Sequence, residues 1–200
     1  MNFNKDLFEK AEAKEFGDFE TLELGGHELV ILDAREYTSE VSGNTSLKVS
    51  VDIAGMDKQA GFFKKQYDEN TNPEKKWPNG AVKYLSLKDE QIEYLKGFIT
   101  AVENSNPGFK FDDNGTWEQL KGKKIAGQFG LEEYIDSENK IRTATKLLRF
   151  RSLTKLGEIA IPSVKTIDGD YVDYDDYMET RRNNNSNDVA IEIPDDALPF

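Results

Sequence analysis

Two hundred residues suit one domain with a tail. A hydrophobic content of 37% and a net charge of −12 leave part of that length without material for a core. The chain has no cysteine, which excludes disulfides, thiolate metal sites and cysteine nucleophiles, and it has no run of about 18 apolar residues to cross a membrane.

Residues 1–20 read as a short amphipathic arm in which Leu7, Phe8 and Ala11 can pack. They show no basic-then-apolar leader pattern, so the expected address is the cytoplasm of a cell, or of an infected cell. The apolar stretch 27–37 predicts a long strand, bent at Gly25 and Gly26. Residues 45–54 alternate cleanly: Leu47, Val49, Val51 and Ile53 share one face, and Ser46, Lys48, Ser50 and Asp52 the other. That is a half-buried strand of an antiparallel sheet.

Residues 62–67 (FFKKQY) read as a further strand, followed by a polar loop holding Trp77 and two prolines, then a short apolar piece at 82–87. Ile92, Leu95, Phe98, Ile99 and Val102 recur at helical spacing and predict one helix over 87–103. Residues 117–131 predict the next strand, interrupted by Gly127 and Gly130. The last long strand is expected at 141–151, where Arg142, Ala144 and Lys146 share a face. A bulge at Leu147–Leu148 would bring Arg149 and Arg151 onto that face; without it the bases divide between two faces.

From Asp168 onward no core pattern is visible. This segment has ten acids against two bases, a net of −8, which leaves −4 for the first 167 residues. Within those, residues 121–165 hold ten bases and five acids. A locally basic body and a strongly acidic tail point to a basic binding face, with a tail repelled by any nucleic acid on it. The expected division is an arm (1–20), a folded domain (21–167) and a flexible acidic tail, mostly disordered or weakly docked (168–200).

The tail finishes on Asp195, Asp196, Ala197, Leu198, Pro199 and Phe200. A terminal phenylalanine carries its ring and its α-carboxylate on one residue, which suits an apolar pocket rimmed by cations. Pro199 restricts the backbone before it and so limits the entropy lost on docking. The two aspartates add long-range attraction to a basic partner. This end resembles the acidic tip of bacterial and phage single-stranded-DNA-binding proteins, with Ala197 as the departure from their pattern. The resemblance implies that Asp195, Asp196, Leu198, Pro199 and Phe200 recruit replication or recombination proteins.

Several strands, one helix, then a strand hairpin is the order of a five-stranded Greek-key barrel of the OB type. The fold class expected is thus mainly β with one helix, an OB-like barrel plus a disordered acidic tail. Residues 29–35 (LVILDAR), 42–44 (SGN), 117–134 and 142–146 (RTATK) also resemble small proteins from phages of Gram-positive bacteria. That resemblance covers roughly residues 20 to 155 and implies single-stranded DNA binding during phage replication or recombination.

Single-strand binding needs cations for phosphates and aromatic faces for bases. The candidates are Lys64, Lys65 and Tyr67 on the 62–67 segment, Lys75, Lys76 and Trp77 in the loop, Lys123 and Lys124 before the fourth strand, and Arg142, Lys146, Arg149 and Arg151 on the fifth. Trp77 is the strongest stacking candidate, although a loop tryptophan can also fold back as a lid. Phe129 and Phe150 fit a core better than a platform, and Lys48 is a weaker phosphate candidate.

With one histidine and no cysteine, no metal site or cofactor is expected. No phosphate-loop or nucleophile-elbow motif is present, so no enzymatic activity is expected either. The alternative is a protein-interaction module or inhibitor that acts through its acidic surface and does not bind DNA. Oligomeric state is left open.

Overall fold

Alternation along residues 45–53 predicts one buried face. In the computed structural model, which describes residues 20–185, that face forms the floor of the core. Leu47, Val49, Val51 and Ile53 are all at most 2% exposed. They lie on strand β2 (Thr45–Ile53), which pairs antiparallel with β1 (Gly25–Thr38) on one side and β3 (Val82–Ser86) on the other. The 14-residue β1 serves two neighbours. Its first half, Gly25 to Val30, pairs with β4 (Lys124–Ile135), and from Leu29 onward it pairs with β2, with a register shift between Ile31 and Asp33. β4 then forms a long antiparallel hairpin with β5 (Ile141–Arg151).

The protein is therefore mostly β, as its patterning predicts, but among the described residues it has three α-helices rather than one, and the sheet is open with seven strands rather than five in a closed barrel. Two short strands, β6 (Val164–Lys165) and β7 (Tyr171–Val172), account for the extra pair. β1 leaves β4 at Phe129, and the vacated edge accepts β6 in parallel at Glu132. The hydrogen-bonded order β3-β2-β1-β4-β5 ends on two strands that do not pair with each other. β3 has only five residues and is entered through a 3-10 turn, Asn79–Ala81. That turn meets β5 by packing instead of a ladder, and a Cβ on Gly80 would stand 2.8 Å from the Thr145 carbonyl.

Residues 62–67, expected as a strand, belong instead to helix α1 (Phe62–Glu69). A strand would send Phe62 and Phe63 to opposite faces, whereas both are buried. Gly61, at φ 72, turns the chain, and the carboxylate of Asp52 on β2 accepts the Phe63 N–H at 3.0 Å. A residue ten positions upstream of the helix thus satisfies one of its free amides. The predicted helix is present as a 3-10 turn, Asp89–Gln91, leading into α2 (Ile92–Ser105), with Leu95, Phe98, Ala101 and Val102 buried. Residues 117–120 form a 3-10 turn (Trp117–Leu120) and not the start of a strand; Gly122, at φ 77, reorients the chain before β4.

The segment expected to be a flexible tail from Asp168 is structured at its start. It contains β7 and helix α3 (Tyr174–Asn185). Asp173 accepts the Asp175 N–H at 2.9 Å, and Asp175 and Asp176 in the first turn with Arg182 in the last complement the helix dipole. Tyr177, 7% exposed, is the anchor: its hydroxyl donates to Glu133 at 2.6 Å, and Arg181 donates to Thr143 at 3.1 Å. The N-terminal arm up to residue 19 and the tip residues Asp195, Asp196, Leu198, Pro199 and Phe200 lie outside the described residues.

Candidate nucleic-acid interface

Strand β5 carries the clearest arrangement of cations. Gln128 lies opposite Arg149 and Phe129 opposite Leu147, so Leu148 is an extra residue in the ladder. This is the bulge the sequence allows, and it sets the phase of the strand. Leu147 is buried, and the Phe150 ring lies 4.8 Å from that of Phe98. Both therefore face the core, and Arg149 and Arg151 emerge on the side that also carries Lys146, Ala144 and Arg142. Arg149 and Arg151 are exposed and Lys146 is half-buried. Arg142 donates through Nε to Asp136 at 2.8 Å, which holds the Asp136 carboxyl below its ordinary range.

The open seam brings this row beside β3. Lys83 lies opposite Val49 and so leans toward the core side of the sheet edge. Burial pushes its amine below the ordinary lysine value. The positive charges of Lys165 and Arg149 act in the same direction, and Glu132 opposes them. Cations from β3, β5 and β6 thus share one neighbourhood with Glu132, which Lys165 approaches at 3.7 Å. A cavity of about 290 Å³ lined by Asn79, Glu132, Glu133, Tyr134, Ala144 and Lys146 adjoins it.

The other predicted residues are scattered and mostly engaged. Lys64 pairs with Asp68 at 2.6 Å, Lys65 with Glu20 at 3.2 Å and Lys124 with Glu28 at 2.6 Å. Such exposed pairs add little stability, but each offsets a charge that a phosphate would otherwise meet. Lys123 lies 4.4 Å over the Phe109 ring, beside an open cavity of about 500 Å³. Lys76 is exposed. Trp77 is a lid: its indole N–H donates to the Val51 carbonyl at 3.0 Å, and its ring packs on the core. The Tyr67 ring of α1 lies 5.5 Å from that of Trp77, and the Lys75 ammonium lies 4.6 Å from its centroid, so these two aromatics pack on each other. His27 is structural, 1% exposed and held between Asp57 at 3.1 Å and the Glu23 carbonyl at 2.9 Å.

Sequence reasoning missed an aromatic pair. Tyr37 of β1 and Tyr84 of β3 meet over β2 on the outer face of the sheet, beside Lys48, with ring centroids 5.5 Å apart. They are 41% and 47% exposed. The only signal in the sequence is that Tyr37 and Lys48 fall on the polar phase of their strands; meeting Tyr84 requires the β2–β3 register. No protein-family model matches this chain, and neither does any curated protein.

Proposed function

We propose that this protein binds single-stranded DNA without strong sequence preference and works in phage DNA replication or recombination. The observation that carries the reading is the row of Lys146, Arg149 and Arg151, which the Leu148 bulge turns to one side of β5, next to Lys83 and Lys165. Cations in a row on an open sheet suit a phosphate backbone, and their long stems follow a flexible strand. The strand order β3-β2-β1-β4-β5, with a helix between β3 and β4, supports an OB-like reading of the domain. The acidic end then serves as a recruiter, with Asp195, Asp196, Leu198, Pro199 and Phe200 presented to a basic-rimmed pocket on a partner protein. The reading calls for no cofactor and no catalytic group.

The test is titration of a labelled oligo-dT of about 30 nucleotides across a range of salt, followed by anisotropy. Affinity should fall with salt by roughly 0.7 log units per log unit for each phosphate neutralised, and Arg149→Ala/Arg151→Ala should lower that slope by about 1.4. Absence of binding at low salt, or an affinity indifferent to salt, would overturn the reading. The alternative, an acidic protein-interaction module, would then stand. It draws on the carboxylates that already occupy Lys64, Lys65, Lys124 and Arg142.

A further inference from the structure

The outer face of β1, β2 and β3 carries a group that the folded chain leaves unused. The Lys48 ammonium sits 5.8 Å from the centroid of Tyr37 and 6.0 Å from that of Tyr84, beside two rings that contact each other. Among the described residues Lys48 has no carboxylate within ion-pair distance, unlike Lys64, Lys65 and Lys124. Nor does either tyrosine hydroxyl have a hydrogen-bond partner among the described residues. A ring pair that served only to fasten strands together would gain most by burial, yet both rings keep over two-fifths of their surface in water. The two rings contact each other at a tilt of 55°, and the ammonium lies to one side of the pair, about equally far from both.

We infer that Tyr37, Lys48 and Tyr84 form a nucleotide subsite, in which an unpaired base stacks on a tyrosine face and the adjoining phosphate meets Lys48. The inference rests on the single-strand reading above and gives it a base-contacting site on β1–β3 in place of Tyr67 and Trp77. Stacking of this kind accepts any base, because every base presents a π-face.

The experiment compares the native protein with Tyr37→Ala/Tyr84→Ala, Tyr37→Phe/Tyr84→Phe and Lys48→Gln on labelled dT30 and on an abasic strand of the same length. The alanine pair should bind dT30 on the order of tenfold more weakly with an unchanged salt slope, and should match the native protein on the abasic strand. The phenylalanine pair should bind as the native protein does, since the ring face and not the hydroxyl makes the contact. Lys48→Gln should lower the salt slope by about 0.7. Should the alanine pair fail to fold, photocrosslinking of native protein to an oligonucleotide carrying 5-iodouracil decides the matter. Adducts on Tyr37 or Tyr84 support the site, and adducts confined to other residues overturn it. Native binding to dT30 with unaltered affinity in a folded alanine pair sinks the subsite and leaves the single-strand reading standing. No native binding at low salt sinks both.

Discussion

At the scale of single residues, one carboxylate fastens the start of the acidic segment to the sheet. Glu133 accepts the Tyr177 hydroxyl at 2.6 Å and the Ile167 N–H at 3.1 Å. Burial, with the bond to Glu133 adding to it, pushes the Tyr177 phenol up to about 12. The neutral phenol is the stabilised form, so its contribution is complete below the ordinary value of 10.0 and is lost as pH rises toward 12. Tyr177→Phe should cost about 1 kcal/mol in urea denaturation and leave oligonucleotide affinity unchanged. Asp57 works at the acid end. Burial raises its carboxyl, but N–H donation from Gln59 and Glu28 and the contact with His27 outweigh this and hold it below 3.8. Ionised Asp57 therefore stabilises the fold above 3.8, and that stability is lost as pH falls through its lowered value. Thermal melts between about pH 2 and 5 should show a shallower acid decline for Asp57→Asn than for the native protein. Asp52 has the opposite sign. Burial, despite N–H donation from Ile53 and Phe63, keeps its carboxyl above 3.8 and makes its ionised form a cost.

At the scale of elements, β4 and β5 depend on two kinds of irregularity. The Leu148 bulge decides which side the arginines take, and the glycines of β4 decide how closely its neighbours approach. A Cβ on Gly127 would lie 2.4 Å from Leu29 Cδ1 and 2.8 Å from Leu147 Cδ1. Both of those leucines are core residues, so Gly127→Ala overpacks the centre of the molecule. It should lower stability by about 1–3 kcal/mol, read from denaturant midpoints at constant slope. Gly130 meets Pro162 and Leu148 in the same way, where the segment leading to β6 crosses the hairpin. Arg149 and Arg151 lie on the exposed side, so their replacement by alanine should change stability by less than about 0.5 kcal/mol. A loss of oligonucleotide affinity in those variants would thus report a lost contact and not a lost fold.

At the scale of the whole molecule, the acids and bases are partly segregated. The Lys146–Arg149–Arg151 row faces one side of the β4–β5 hairpin. Helix α3, with Asp175, Asp176 and Glu179, docks through Glu133 and Thr143, whose ladder positions alternate with those of the row. The acidic segment is thereby anchored next to the proposed DNA path without occupying it. Deleting residues 195–200 should leave DNA binding intact or tighter and should abolish capture of a tail-reading partner. Reduced DNA binding on that deletion would end the proposed division of labour. Because Trp77 and Trp117 are both packed against the core, their fluorescence is a poor reporter of this binding, and a label on the oligonucleotide is the better one.

Patterning alone determined the β-rich class, the buried face of β2, the span of α2 to within a few residues, and the choice that β5 faced between one basic face and two. Each of these is set by side-chain period, which a linear sequence records directly. Pairing and long-range contact decided the rest. Residues 62–69 became a helix whose Phe63 N–H is capped by Asp52 of β2, and Trp77 became a lid because the Val51 carbonyl accepts its N–H. Tyr37 and Tyr84 met beside Lys48 only through the register of three strands. The sheet stayed open because β3 is short and packs against β5 without a ladder. These outcomes depend on which backbone groups find partners far along the chain, and local composition carries no record of that.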